Sequence, residues 1–262
     1  MTYYGTEKQQ RLQRQSDEAQ PKIAATPGLV QAGRFFSVDN FDLIDWAFVD
    51  ERLAQDGVFG FRMMSATRIE DIRLKLGPSY RVDVWSVCRA DRTAATRACT
   101  AILKDDIPGG LTRVNLTADP GDDAVGAIQT CMAENGIAPF SGAMLAGNIV
   151  PAVTIALADA QGHVVATAHA NMPFNTHSKH SGTAWVGLIA VAAQQRGKGL
   201  GRLINALAVR AAFETLGADE VVEFVHADNI ISRRMIEACS LRLDPSILCG
   251  LATPIVDARF TT

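Results

Sequence analysis

The stretch from Ala184 to Leu216 constrains this chain more than any other. An apolar run, Ala184 to Ala193, leads into Gln194-Gln195-Arg196-Gly197-Lys198-Gly199-Leu200-Gly201, and a long aliphatic stripe follows. The run is too short to span a bilayer and has the character of a strand buried on both faces. Leu200, Leu203, Ile204, Leu207, Ala208 and Ala211 share one stripe, which predicts a helix over 200–216. A strand, a glycine turn and a helix in that order make a place for phosphate. The first turn of a helix carries unpaired N–H groups and the positive end of the dipole. Gly197, Gly199 and Gly201 let an anion approach the backbone, and Arg196 and Lys198 add charge at the rim. Two rival phosphate motifs fail on spacing. A Walker A loop needs Ser or Thr after its Lys, and Gly199 follows Lys198. A dinucleotide fingerprint needs Gly-x-Gly-x-x-Gly at the strand end, and this turn reads Gly-x-Gly-x-Gly, six residues beyond Val191.

The remaining elements alternate in type. Residues 1–27 form a polar arm, expected to be a surface or disordered tail. Residues 28–112 form a small α/β region: helices over 40–55, 66–76 and 92–104, strands over 58–63 and 80–88, and a breaker at Pro108-Gly109-Gly110. From Arg113 the pattern is a short strand over 113–117, a helix over 122–134 capped by Asp122, and a hairpin of strands 152–158 and 163–170. The Ala184–Ala193 strand, the long helix, a strand over 220–225, a helix over 229–239 and closing strands to Ile255 follow. The expected division is therefore 1–27, 28–112 and 113–262.

The segment Val191-Ala192-Ala193-Gln194-Gln195-Arg196-Gly197-Lys198-Gly199 resembles the signature of the GCN5-related N-acetyltransferase (GNAT) superfamily, Gln/Arg-x-x-Gly-x-Gly/Ala after a strand ending in Val. The helix Asn229-Ile230-Ile231-Ser232-Arg233-Arg234-Met235-Ile236-Glu237-Ala238-Cys239 resembles the family's second helix, which opens with Asn and small residues. The resemblance covers about residues 113–258. It implies an α/β fold with a mixed, mostly antiparallel central sheet flanked by helices, here with an additional N-terminal α/β region. It also implies acetyl-CoA as co-substrate, no metal, and acetyl transfer to a primary amine of a small molecule or peptide by direct attack. A longer acyl-CoA donor, or a catalytically degenerate acyl-CoA-binding protein, are the alternatives.

The resemblance further implies that the backbone of Ile189, Val191 and Ala193 holds the pantetheine arm. Gln194, Gln195, Arg196, Gly197, Lys198, Gly199, Leu200 and Gly201 hold the pyrophosphate, Asn229 and Ser232 contact the cofactor arm, and Val191 or Ala192 N–H serves as oxyanion donor. Many members use a Tyr on the second helix as the acid; Ile236 stands there, with Ser232, Cys239 and Ser240 as the nearest substitutes. Glu223, His226 and His169 are open as bases, each also accounted for as a structural residue. The loop 171–182, with Phe174, His177, Lys179 and His180, is expected to border the acceptor. His177-x-x-His180 has too few partners for zinc.

Composition excludes more than it selects. The 262 residues carry a net charge of −3, which gives no electrostatic case for nucleic acid or an anionic membrane. Cys88, Cys99, Cys131, Cys239 and Cys249 are scattered, which reads as reduced thiols in a cytoplasmic protein. The expected partner is the amine acceptor, with a homodimer left open.

Overall fold

The computed structural model describes residues 3–104 and 107–256, so the outer limits of the first and last expected segments lie outside the described residues. The first half comprises α1 (Glu7–Glu18), α2 (Gln20–Ala25), β1 (Leu29–Gln31), β2 (Phe36–Val38), α3 (Trp46–Asp56), β3 (Phe59–Met64), α4 (Ala66–Leu76), β4 (Tyr80–Asp91) and α5 (Arg92–Ile102). The second comprises β5 (Thr112–Arg113), α6 (Asp123–Glu134), α7 (Gly142–Leu145), β6 (Ala152–Ala158), β7 (Val164–Asn171), β8 (Thr183–Val191), α8 (Leu200–Glu214), β9 (Glu220–Val225), α9 (Ile230–Ala238) and β10 (Arg242–Pro254).

The N-terminal arm corrects the expectation of a tail. Thr6 and Gln9 form a reciprocal capping box that starts α1, and Leu12, Gln13 and Ser16 are buried. Gln13 Nε2 donates to the Pro139 carbonyl and Ser16 Oγ to Gln31 Oε1 at 2.7 Å, so the arm is stapled to both halves. Its polar composition hid this because the anchors are few: Leu12 and Ile23 enter the core, and the rest are hydrogen bonds.

One open ten-stranded sheet, in the order β1-β2-β3-β10-β4-β9-β8-β7-β6-β5, runs through the protein. Neighbours are antiparallel except β2–β3 and β8–β9. β4 lies between β9 and β10: Ser86 pairs with Val225, Asp91 with Glu220, and Tyr80 with Pro254. Its apolar side chains feed several cores. Cys88 and Ala90 join α5, α8 and α9 on one face, while Val82 and Val84 pack with the cluster beneath α3 and α4. The opposite face of the second half is covered by α6 and α7, through Val125, Ile128, Met132 and Met144 over Leu188 and Ala190.

Because β4 supplies the shared neighbour of β9 and β10, we propose that the halves fold as one unit. A fragment beginning at residue 107 loses β4 and leaves both strands with open edges. It is expected to lack a cooperative thermal transition by circular dichroism. A fragment that melts cooperatively near the Tm of the full chain would show that β4 is dispensable.

Candidate active site

β8 and β9 pair only over Thr183–Trp185 against Glu220–Val222 and then part. They are joined by α8, and a crossover between parallel neighbours places the helix start at the mouth of the gap. The gap opens into a cavity of about 810 Å³ lined by β8 from Val186 to Val191, the glycine turn, the start of α8, Glu223 and Phe224 of β9, and the first turns of α9.

A bulge in β8 shapes its floor. The register against β7 slips between Thr167↔Ala190 and His169↔Gly187, and Leu188 takes a left-handed backbone with φ 52°. Val186 packs towards α8, whereas Leu188 packs towards α6 and α7, and Ile189 turns back to α8. Gly187 lies under the Trp185 indole, where any Cβ would fall 2.2 Å from a ring carbon. Beyond the bulge, Ala192 N–H donates to the Val165 carbonyl at 2.8 Å. Antiparallel alternation therefore turns the Val191 amide away from β7 and into the gap. Arg196 Nε donates to the Val191 carbonyl at 3.1 Å and leaves its N–H facing the cavity. This corrects one half of the oxyanion alternative: Ala192 N–H is already taken.

The turn needs the same trimming. Gln195 N–H donates to Ala192 and Arg196 N–H to Ala193, closing a 3₁₀ turn over Ala193–Gln195. The N–H groups offered to an anion therefore begin at Gly197. Gly197 (φ 77°) and Gly199 (φ 80°) require glycine for their backbone, with open space where a Cβ would stand. Gly199 is the N-cap of α8 and has no side chain to cap the helix, so the amides of its first turn remain open.

Most expected contact residues line the cavity: Ile189, Val191, Gln195, Arg196, Gly197, Gly199, Leu200, Gly201, Asn229 and Ser232. Three do not. Ala193 and Gln194 line a separate groove with Cys131 and His163, because the 3₁₀ turn rotates them outward. Lys198 Nζ donates to Gln195 Oε1 at 3.0 Å at the rim. Asn229 caps α9 by accepting from Ser232 N–H at 3.0 Å, which leaves its amide nitrogen for a ligand.

Glu223 is the one carboxylate among the described lining residues. It is 2 % exposed, and Asn205 Nδ2 donates to its Oε1 at 3.0 Å. Burial pushes its pKa up to about 8, against the smaller opposing effect of the Asn205 hydrogen bond. Asn205 was missed in the sequence, although an Asn within the apolar stripe of the long helix was the available signal. His226 lies in an exposed loop beside Asp228 and outside the cavity, which corrects its candidacy as base. His169 is buried, with Nδ1 2.8 Å from Thr154 Oγ1. The Thr154 hydroxyl donates to Leu145, so Nδ1 carries the ring proton, and burial lowers the His169 pKa to about 3. Ile236 lines the cavity at the expected acid position. Cys239 is fully buried, and its hydrogen bond with Cys99 and its burial hold the thiol up. The loop 171–182 is clamped to the first half by Asn175, whose amide donates to Ile23, Thr26 and Leu29. Among the described residues no group of three His, Cys, Asp or Glu could hold a metal, and no helix is long and apolar enough to cross a membrane.

Residues 138–240 match the model of the acetyltransferase (GNAT) family. Solved structures agree on the fold over a longer span. A GCN5-related N-acetyltransferase from Kribbella flavida is 15% identical, with a TM-score of 0.55 over 94% of this chain and 96% of its own. A Drosophila protein is 14% identical, with a TM-score of 0.56 over 98% of this chain and 92% of its own. A tandem GNAT protein from the clavulanic acid biosynthesis pathway is 12% identical, with a TM-score of 0.57 over 93% and 89%. At these identities the likeness is one of fold. No curated protein sequence matches the chain. The match of this segment to the acetyltransferase model supports acyl transfer from acyl-CoA in general.

The ionisation of Glu223 has a measurable sign. Its folded pKa lies above the ordinary 4.5, so the full stability is present below that value. As pH rises towards about 8, the unfolded chain releases a proton that the folded chain retains, and stability falls. Glu223→Gln removes this slope. The Tm advantage of the variant over wild type should widen from pH 5 to pH 8; a constant difference would mean that Glu223 titrates as an ordinary carboxylate.

Proposed function

We propose that the protein is an acetyl-CoA-dependent N-acetyltransferase acting on a primary amine. The observation that carries this reading is the gap between β8 and β9, with an open glycine turn at one end and the Val191 N–H along its side. The pantetheine arm lies along β8 as an added strand, and the pyrophosphate rests on the N–H groups from Gly197 to Gly201. The Asn229 amide contacts the arm where the strands part.

The amine nitrogen attacks the thioester carbonyl. The new C–N bond forms as negative charge gathers on the carbonyl oxygen, which Val191 N–H stabilises. Collapse breaks the C–S bond. The amine loses a proton to Glu223, whose raised pKa suits a base working near neutrality. The thiolate leaves as a good leaving group, since a free thiol has a pKa of about 8–9. Ile236 has no proton to give, so solvent water protonates the departing sulfur after the barrier. Holding two reactants in line supplies much of the acceleration.

Acetyl-CoA should raise the Tm by binding the native state. Gly199→Glu forces a side chain onto a left-handed backbone and puts a negative charge at the phosphate site, so it should abolish that rise. Equal shifts in wild type and variant, both folded, would remove the site assignment.

The chemistry is separable from binding. Glu223→Gln should lower kcat by about 10²–10⁴-fold with acetyl-CoA affinity retained, and the acidic limb of the pH–rate profile should disappear. Ser232→Ala and Cys239→Ala should each cost little in kcat. A loss above about a hundredfold in either, in folded protein with normal CoA affinity, would reveal a dedicated acid and overturn this scheme.

A further inference from the structure

A second, smaller cavity of about 50 Å³ lies on the other side of Phe224 from Glu223, between the two halves of the chain. Its walls include Arg34, Arg62, Phe140, Asn171, Trp185 and Phe224. Phe224 lines both this cavity and the larger one, so the two adjoin where β8 and β9 part.

The polar groups facing it are unusual for a protein interior. Arg62 makes no hydrogen bond or ion pair with any described residue; its guanidinium stacks over Phe224 at 5.2 Å and Phe35 at 5.6 Å. Arg34 is positioned by donating to the Ala138 carbonyl and by stacking over Phe140 at 5.3 Å. Asn171 is 1% exposed and its Oδ1 has no partner among the described residues; the same holds for the Trp185 Nε1 donor. Burial lowers the pKa of both arginines, and for Arg34 the neighbouring Arg62 adds to the effect, bringing it to about 10. Both remain cationic near neutrality. The Arg62 guanidinium, drawn into a small enclosed space, is costly to hold without a counter-charge.

Arg62 reaches this space by ordinary strand alternation, next to a backbone irregularity. Phe59 and Phe61 of β3 pack beneath α3 and α4, and Met64 returns to that side. Between them the register against β10 slips, from Leu248↔Met64 to Gly250↔Phe61, and Met63 takes a left-handed backbone with φ 57°. Met63 thereby joins the cluster of Val30, Phe174 and Val222 on the opposite side, the side to which Arg62 also points. Such a bulge on a non-glycine residue is strained; it re-aims Met63, while Arg62 keeps the side opposite Phe61.

We propose that this cavity is a carboxylate-binding acceptor subsite, and that the amine acetylated is an amino-carboxylate. This rests on the N-acetyltransferase reading above. The volume holds about three or four water-sized groups, which fits a carboxylate and excludes a bulky anion. A carboxylate takes the Arg62 fork in two parallel hydrogen bonds and the Trp185 N–H as a further donor. The Asn171 carbonyl oxygen accepts from the amine end. The amine is then directed past Phe224 into the gap, where the thioester carbonyl and Glu223 meet it.

The test uses the full-length protein with glycine, β-alanine and γ-aminobutyrate, each beside its carboxamide. Acetyl transfer should favour the acids. The acid-to-amide ratio of kcat/KM should fall about a hundredfold in Arg62→Met, mainly through KM, and Arg62→Lys should restore only part of it because the fork is lost. In wild type, propionate should compete with the amine and not with acetyl-CoA. Calorimetric titration of β-alanine and its amide into CoA-saturated protein gives a readout independent of turnover, with the acid alone binding. No preference for acids in either turnover or binding, or a preference for aminomethylphosphonate over glycine, overturns the carboxylate subsite. Absence of any thermal shift with acetyl-CoA instead overturns the transferase reading itself.

Discussion

The parting of β8 from β9 after three residue pairs is the constraint on which the rest of the molecule depends. In a continuous sheet the Val191 amide would be spent on a neighbouring strand, and no backbone would remain to hold a ligand. α8 connects two parallel strands, so its N-terminus must sit at the end where they diverge. The sequence meets that requirement with two left-handed glycines and no capping side chain, which leaves the amides of the first turn open. On the far side of the gap β9 is held in place by β4, which pairs with it along its whole length from Glu220 to Val225. The gap stays open because one of its walls is braced from behind.

That bracing strand comes from the first half of the chain, and so does the wall of the smaller cavity. The two roles follow from one arrangement. β4 carries residues 80–91 into the middle of the sheet, and the hairpin-like segment of β1 and β2 is then folded over the face opposite α8. Asn175 fixes the 171–182 loop to that segment through three carbonyls, so Phe174 and Arg34 approach from different parts of the chain and meet at one place. Two bulges, at Leu188 on β8 and Met63 on β3, each hold a non-glycine residue in the left-handed region. Strain of this kind costs of order 1–3 kcal/mol per residue and persists only where surrounding packing imposes it.

How much of this was legible in the sequence differs by element. The long helix, the glycine turn and the Asn-led helix have local signatures, and their residue types follow from backbone demands alone. α4 appears over Ala66–Leu76 as its spacing predicted, between Ser65 and Gly77, because cap and stop are also local. The arm at residues 1–27 was misread because Gln13 bonds the Pro139 carbonyl and Ser16 bonds Gln31, matches that no single stretch displays. The bulges were invisible for a related reason: Leu188 and Met63 are ordinary apolar residues in apolar runs, and only the partner register displaces them. Arg34 and Arg62 carry no local signature either, since nothing within the first half alone requires them to face inward.

The distribution of charge around the gap now has a direction. Glu223 and Phe224 are consecutive on β9, so pleating sends their side chains to opposite faces. The carboxylate faces Asn205 on the α8 side, while the phenyl ring faces Arg62 and Trp185. A molecule with an anionic end among the arginines and a cationic end at the gap would lie across the strand with its charges matched to both sides. An ammonium brought near Glu223 favours the ionised carboxylate and so lowers its pKa, while the proposed phosphates at the α8 N-terminus lie at the other end of the cavity. Binding of the acceptor would thus ready the base by the same charge that the base must remove. An uncharged or purely anionic molecule in the gap would leave Glu223 protonated near neutrality. On this arrangement the selectivity for the amine and the timing of proton removal arise from one buried carboxyl group.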